Sequence, residues 1–212
     1  MALFLQAVLF AQAQGFINLN FESAKFTTYT FGNPFVYASN SIPGWTPYLG
    51  GIAQSYVTSN GVSLGGAMIS VYGTNNSQGY LPVQGKYFIL LLGPGSGEQH
   101  LSTAIGQTAQ VPASAQSILF WGSIFGSLDV SFNGNALSFA AAGTTANNYI
   151  IYQADISPYA GQIGELLFSS PFNTGSFIDN IQFSSTAVPE PSALALLGLA
   201  VSALHLYRRR NF

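Results

Sequence analysis

Leu128-Asp129-Val130-Ser131-Phe132-Asn133-Gly134-Asn135-Ala136-Leu137-Ser138-Phe139 is the stretch of sequence that decides the fold class. Apolar and polar residues alternate on both sides of Asn133-Gly134, which gives each flanking segment one apolar face. An Asn-Gly pair readily adopts the positive φ angles that a two-residue hairpin turn requires. The stretch therefore predicts a β-hairpin with one buried face.

Short strand-like runs recur on either side of this hairpin, with turn-forming residues between them. The predicted strands are Phe26 to Phe31, Ala67 to Tyr72, Lys86 to Leu92, Ile118 to Phe125, Asn148 to Ala154, Glu165 to Ser169 and Ser176 to Phe183. Lys86 to Leu92 is apolar on both faces, which predicts a position in the middle of a sheet. Roughly ten short strands in about 175 residues predict an all-β fold, an antiparallel jelly-roll-like β-sandwich.

The composition excludes several classes of protein. Hydrophobic residues make up 48% of the chain and charged residues only 6%, whereas disorder needs low hydrophobicity and high charge. Residues 14–187 carry two lysines against six acidic residues, a net charge of −4. A chain without a basic patch does not bind nucleic acid. Without cysteine, it forms neither disulfides nor thiolate metal sites.

The N-terminal residues predict export. An apolar run from Leu3 to Ala11 precedes small residues at positions 11 and 13, the pattern of a signal peptide spanning residues 1–13. No lysine or arginine precedes this run, so two alternatives stay open. Translation starts further upstream, or the run is a buried first strand.

Residues 188–212 predict a membrane segment behind an ectodomain of residues 14–187. Ser192 to Tyr207 holds 16 residues without a formal charge, which span roughly 24 Å as a helix. A helix of this length can span a bilayer core of about 30 Å when its flanking side chains reach outward to the membrane surface. Arg208, Arg209 and Arg210 follow directly and predict a cytoplasmic stop to a single C-terminal transmembrane helix. The alternative is a buried core helix.

The order of Val188-Pro189-Glu190-Pro191, an apolar helix and an arginine cluster resembles the PEP-CTERM sorting signal of Gram-negative bacteria. The resemblance implies recognition by an exosortase and cleavage near the Pro-Glu-Pro motif. It also implies transient anchoring in the inner membrane before delivery to the cell surface or the exterior. Proteins with this signal are typically linked to exopolysaccharide and biofilm production.

A looser resemblance, to the galactose-binding-like jelly roll, extends over most of the ectodomain. The residues that carry it are Asn18-Leu19-Asn20-Phe21-Glu22, Ile42-Pro43-Gly44-Trp45, Gly85-Lys86-Tyr87 and Phe177-Ile178-Asp179-Asn180-Ile181. This resemblance implies that Glu22 and Asp179 lie together and hold a structural calcium ion, with carbonyl or amide oxygens as further ligands. The alternative is that both acids face solvent or hydrogen-bond to turns.

Aromatic residues in loop-like segments are candidates for sugar binding, because a planar ring offers an apolar face to sugar C–H groups. Trp45 follows Pro43-Gly44 and is the first candidate; Tyr48, Tyr56, Tyr72 and Tyr80 lie in similar positions. The alternative is that these rings fill the core of the sandwich.

Two patterns raise the question of hydrolytic activity. Gly61-Val62-Ser63-Leu64-Gly65 fits the G-x-S-x-G pattern, but the one downstream ectodomain histidine, His100, lies too close to Glu98 for that fold. Asp129, Asp155 and Glu165 are the remaining candidates for a glycosidase carboxylate pair. We therefore expect no catalytic site, and the leading hypothesis is a structural or adhesive protein of an extracellular polysaccharide layer. A carbohydrate-binding module and a secreted hydrolase are the alternatives.

Overall fold

The computed structural model describes residues 14–25, 35–61, 65–76, 78–95, 101–145 and 149–188. Within these ranges it contains short helical turns at α1 (Ala38–Ser41) and Ser157–Tyr159, and fourteen strands. The strands are β1 (Phe35–Tyr37), β2 (Thr46–Leu49), β3 (Ile52–Ala53), β4 (Tyr56–Ser59), β5 (Met68–Gly73), β6 (Tyr87–Leu92), β7 (Thr103–Gln110), β8 (Ser117–Phe125), β9 (Asp129–Phe132), β10 (Asn135–Ala136), β11 (Phe139–Thr144), β12 (Ile150–Asp155), β13 (Ile163–Ser170) and β14 (Gly175–Ser184).

These strands form two packed sheets, and the ectodomain is an all-β sandwich. The large sheet has the order β1-β4-β5-β6-β14-β8-β12-β11, and the small sheet has the order β10-β9-β13-β7-β2-β3. Neighbouring strands pair antiparallel except for β4 and β5, which are parallel. The predicted sandwich is confirmed, while its finer description as a jelly roll stays a prediction.

The hairpin predicted at residues 128–139 is present. Asn133 and Gly134 have φ angles of 48° and 76°, and Asn135 pairs with Phe132 across the turn. The returning strand is shorter than predicted and consists of β10 alone. The chain then crosses to β11 in the large sheet, where the ring of Phe139 packs 5.3 Å from that of Phe120.

The main core lies between the two sheets. Phe120 on β8 and Phe168 on β13 are fully buried, with ring centroids 5.3 Å apart, and so join the large sheet to the small one. A second apolar cluster lies on the outer face of the large sheet and consists of Met68, Tyr72, Phe88, Leu90 and Phe177. The main core covers one face of β6 and this cluster covers the other. Burial on both faces explains the apolar run from Lys86 to Leu92 and confirms its position inside the sheet.

The other predicted strands match β5, β8, β12, β13 and β14 within a few residues at each end. The strand predicted at Phe26 to Phe31 lies outside the described residues, as do residues 1–13 and the helix predicted at Ser192 to Tyr207. In the ranges that the structure does describe, no helix has the length and apolar character needed to cross a membrane.

The N-terminal segment of residues 14–25 is held against the small sheet by a buried glutamine. The side chain of Gln107 accepts a 2.7 Å hydrogen bond from the Ile17 amide and donates a 3.0 Å hydrogen bond to the Ile17 carbonyl. Further along, the Ile181 amide of β14 donates a 2.9 Å bond to the carbonyl of Leu19. These contacts bring residues 18–22 beside the last strand.

Candidate functional site

Asp179 lies at an irregularity in the last strand. The register between β14 and β8 shifts between Asp179 and Gln182, and Asn180 takes a φ angle of 47°. A bulge of this kind redirects the side chains beside it. The Asp179 side chain is only 1% exposed. Its Oδ2 atom accepts hydrogen bonds from the amides of Val83 and Gln84, both at 3.1 Å, and Oδ1 accepts a 2.6 Å bond from the Asn180 amide.

Glu22 is presented by a turn with an unusual backbone. Phe21 has a φ angle of 57°, which is rare for a bulky residue, and its fully buried ring packs 5.8 Å from that of Trp45. The next residue, Glu22, accepts hydrogen bonds at Oε1 from the amides of Lys86, at 2.7 Å, and Tyr87, at 2.9 Å. Burial of the Phe21 ring therefore fixes where the Glu22 carboxylate lies.

The two carboxylates form one unit, which we call the acid clamp (Glu22 and Asp179). Asp179 binds the first part of the segment from Val83 to Tyr87 and Glu22 binds the second part. Gly85 lies between them at a φ angle of 65°, where an added Cβ atom would lie 2.4 Å from the Glu22 carboxylate. The clamp thus ties an early turn and the last strand to the loop that precedes β6.

Burial dominates the electrostatics of the clamp. Desolvation raises the pKa of Asp179 from 3.8 to about 7, the three amide hydrogen bonds lower it in part, and the nearby charge of Glu22 raises it. A buried carboxylate beside another acid favours its protonated form. The clamp is therefore sensitive to pH in the neutral range.

The geometry of the clamp bears on the calcium site that the resemblance implies. Calcium takes six to eight oxygen ligands, but no group of three or more acidic, histidine or cysteine side chains that could hold a metal occurs in the described ranges. Three of the four clamp carboxylate oxygens accept N–H groups, whose partial positive charge opposes a cation. The arrangement favours the alternative, in which the two acids hold a loop.

Trp45 lies in the core and not in an exposed loop. Its side chain is 4% exposed, its indole Nε1 donates a 3.0 Å hydrogen bond to the Asn18 carbonyl, and its ring meets that of Phe168 edge-on at 6.3 Å. A ring enclosed in this way offers little surface to a sugar. This burial favours the core alternative over stacking of Trp45 on a ligand.

The carboxylates considered for a glycosidase lie on three different strands, and two of them, Asp155 and Glu165, accept hydrogen bonds. Asp155 ends β12 in the large sheet and accepts a 2.8 Å hydrogen bond from the Ser157 amide, as its turn sequence predicts. Asp129 pairs with Ser169 in the small sheet, four residues from Glu165, which is about 13 Å along a strand. Glu165 accepts a 2.9 Å hydrogen bond from the Tyr48 hydroxyl. Ser63, Glu98 and His100 lie outside the described residues.

Sequence reasoning missed Tyr37, which forms the most exposed aromatic pair in the described ranges. Tyr37 and Tyr56 lie directly opposite each other on β1 and β4, with ring centroids 4.6 Å apart. They are 56% and 47% exposed. Beside Tyr37, a pocket of about 580 Å³ opens where the edges of the two sheets meet. The pairing could not be foreseen because it depends on the register of two short strands.

A second concavity lies on the outer face of the large sheet. It has a volume of about 340 Å³ and is lined by Met68, Tyr72, Gln78, Tyr80, Leu90, Leu92, Phe125 and Phe177. Tyr80 and Phe125 are 40% and 55% exposed at its rim. Tyr72 lies inside, where burial raises its pKa to about 12. This groove is more apolar than the pocket beside Tyr37.

The segment that follows β14 identifies how the protein is handled by the cell. Residues 187–211 match the PEP-CTERM protein-sorting motif. The chain carries a PEP-CTERM sorting segment. This match confirms the prediction made from Val188-Pro189-Glu190-Pro191 and from Arg208, Arg209 and Arg210, although positions 189–212 lie outside the described residues. A comparison with curated proteins found no match to the chain.

A PEP-CTERM segment marks an exported protein that is anchored transiently in the membrane through this segment and processed by an exosortase. The match begins three residues after Ser184, the end of the last strand. The described sandwich therefore precedes the sorting segment and uses none of its matched residues as a strand.

Proposed function

We propose that this protein is a non-enzymatic structural or adhesive component of the cell surface or extracellular matrix, and that it associates with exopolysaccharide. The observation that carries the proposal is the sorting segment placed directly behind the described β-sandwich. An exosortase that cuts near Pro189-Glu190-Pro191 delivers that sandwich with its strands intact.

The roles of the acidic residues support a structural protein over a hydrolase. Glu22 and Asp179 hold a loop, Asp155 caps a turn and Glu165 binds Tyr48. Each of these carboxylates is used to fix the backbone or a neighbouring side chain. A glycosidase instead needs two carboxyl groups that face each other across a cleft at about 5 to 10 Å.

The low charge of the chain supports association with a polysaccharide. Only 6% of the residues are charged, so the surface presents mainly hydroxyl and amide groups. Such groups exchange hydrogen bonds with sugar hydroxyls without the cost of removing water from an ion. A neutral, hydrogen-bonding surface suits a hydrated glycan layer.

Cell fractionation tests this function in the organism that makes the protein. We expect the full chain to fractionate with the cell surface or with extracellular polysaccharide, and a chain lacking Val188 to Phe212 to be released into the periplasm or medium. Circular dichroism of the released chain should retain the β-sheet signal of the full chain. A full chain found free in the cytosol, or a misfolded truncated chain, would contradict the proposal.

The non-enzymatic part of the proposal has its own test. The purified full chain is incubated with a broad panel of polysaccharides, and we expect no release of reducing sugar. Hydrolysis that disappears when Asp129, Asp155 or Glu165 is replaced singly would overturn this part and establish a glycosidase.

A further inference from the structure

The edge of the sandwich next to β1 contains an uncharged pocket with both polar and apolar lining residues. It lies between the residues that follow β1, the start of β2 and the segment Gln54–Ser55. Two backbone hydrogen bonds hold its walls together: the Ala38 amide donates to the Ser55 carbonyl at 2.9 Å, and the Gln54 amide donates to the Pro47 carbonyl at 2.8 Å. The pocket is therefore built from fixed backbone. Its volume of about 580 Å³ lies within the range of small-molecule sites, roughly 300–1,000 Å³.

One wall of the pocket is an exposed aromatic ring held by a second ring. Tyr37 lines the pocket and packs against Tyr56 with an angle of 34° between the two ring planes. A hydrogen bond with Tyr37 raises the pKa of Tyr56 above its ordinary value. The Tyr56 phenol thus stays neutral at physiological pH, and the two packed rings limit each other's rotation.

The remaining lining residues are all uncharged, and several are hydrogen-bonding. Ser39 and Ser55 are exposed, and their hydroxyl groups make no hydrogen bond within the ranges that the structure describes. The amide nitrogen of Gln54 is fixed by a 2.9 Å bond to the Ile52 carbonyl. Hydroxyl and amide groups both donate and accept hydrogen bonds.

We propose that this pocket, with Tyr37 as its stacking platform, binds a neutral sugar ring of an extracellular polysaccharide. A sugar ring presents C–H groups on one face, which pack on an aromatic ring, and hydroxyl groups at its edge, which match Ser39, Gln54 and Ser55. An anionic ligand would find no cation among the lining residues, and an apolar ligand would leave the serine hydroxyls without partners. Tyr56 acts as a positioning residue that fixes the Tyr37 ring.

This inference rests on the proposed function and adds to it the class of partner and the place of contact. Trp45 also lines the pocket, but its side chain is 4% exposed, while Tyr37 on β1 carries the exposed ring.

Binding of defined polysaccharides to the full chain in detergent tests the site. Affinity gel electrophoresis with dextran, laminarin and galactomannan as neutral probes, and alginate as the anionic probe, measures the apparent Kd. We expect at least one neutral probe to bind and alginate to bind more weakly. Tyr37→Ala should weaken that binding by about tenfold or more, because a lost aromatic contact is worth about 1.4 kcal/mol.

Four further variants separate the site from general effects. Tyr37→Phe keeps the ring and should lose about fivefold at most in affinity, the weight of one hydrogen bond of about 1 kcal/mol. Tyr56→Phe should likewise keep most of the binding, whereas Tyr56→Ala should weaken it because the Tyr37 ring loses its support. Tyr80→Ala is the matched control, since Tyr80 is also exposed but lines the other groove. Its affinity should equal that of the unaltered chain.

Several results would overturn the inference. These are wild-type affinity in Tyr37→Ala, loss of binding in Tyr80→Ala alone, absence of binding to every neutral probe, or a change of oligomeric state in Tyr37→Ala without a change in glycan affinity. The last result would assign the pocket to contact between copies of the chain. Cell fractionation of the unaltered chain and of Tyr37→Ala keeps the two proposals distinguishable. The proposed function fails only if the unaltered chain is absent from the surface layer, whatever the variant does.

Discussion

Ser117 donates a 2.7 Å hydrogen bond from its Oγ atom to the carbonyl oxygen of Thr186, one residue before the sorting motif begins. The neighbouring Gln116 amide donates a 2.7 Å bond to the Ser184 carbonyl at the end of β14. These bonds tie the chain to β8 up to the start of the sorting segment. Cleavage beyond this point therefore leaves the last strand anchored.

The acid clamp should contribute strongly to stability. Replacing Asp179 with alanine leaves the amides of Val83, Gln84 and Asn180 without their acceptor. We expect Asp179→Ala to lower the free energy of unfolding by about 2–4 kcal/mol. Urea denaturation measures this change. Asp129→Ala, at an exposed aspartate, is the control and should change stability by less than about 0.5 kcal/mol. Equal effects of the two substitutions would refute the clamp.

Stability should depend on pH through the same carboxyl group. Because the pKa of Asp179 is raised from 3.8 to about 7, the folded protein holds a proton that the unfolded chain releases between these values. The contribution of Asp179 is complete below the lower pKa and is lost as pH rises through the upper one. The slope should approach about 1.4 kcal/mol per pH unit between them. Unfolding measured across this range should lose the slope in Asp179→Asn, and a slope that persists there would assign it to another group.

Calcium should have little effect on the fold if the clamp works through amide hydrogen bonds. A ligand that binds only the folded state at 100 times its Kd adds about 2.7 kcal/mol, which corresponds to several degrees in Tm. We expect EDTA, and then excess calcium chloride, to leave the Tm of the protein unchanged. A rise of several degrees with calcium that disappears in Glu22→Gln would instead establish the calcium site implied by the resemblance.

The hairpin turn should require glycine at position 134 because of the backbone conformation there, and not because a larger side chain would clash. An added Cβ atom meets nothing within 4 Å at either Gly134 or Gly15, but Gly134 alone has a positive φ, of 76°. We expect Gly134→Ala to lower the free energy of unfolding by about 1–2 kcal/mol. Gly15→Ala, which tests an unstrained position, should change it by less than about 0.5 kcal/mol. Similar losses at both positions would contradict a conformational cause.

Sequence alone predicted those strands whose side chains carry a clear apolar pattern. Apolar and polar residues alternate in residues 128–132, and Tyr87 to Leu92 is apolar throughout. Each pattern therefore predicts where its strand lies in the sandwich. β7 was missed because Thr103–Gln110 consists of small and polar residues apart from Ile105. The strand is nevertheless largely buried. The side chains of Glu165 and Tyr48 pack closely against Gly106, and the Gln107 side chain accepts a hydrogen bond from the Ile17 amide. Burial of this kind depends on distant residues.

The candidate site was predictable only in part for the same reason. The resemblance brought Glu22 and Asp179 to attention, and in the structure both carboxylates bind the same loop. It could not show that their oxygens accept the amides of residues 83–87, because those bonds depend on the bulge at Asn180 and the turn at Phe21. Trp45 and Tyr37 illustrate the same limit. A tryptophan after Pro-Gly suggests an exposed loop, yet the exposed ring belongs to a short edge strand.

Mass spectrometry of the mature protein from its native cells tests the central claim most directly. The claim is that the sorting segment is separable from the described sandwich, whose last strand ends before it. We predict a mature chain that retains residues 14–184, ends near Pro189-Glu190-Pro191 and lacks Arg208 to Arg210. A mature chain that keeps those arginines, or one that ends within β14, would contradict the account.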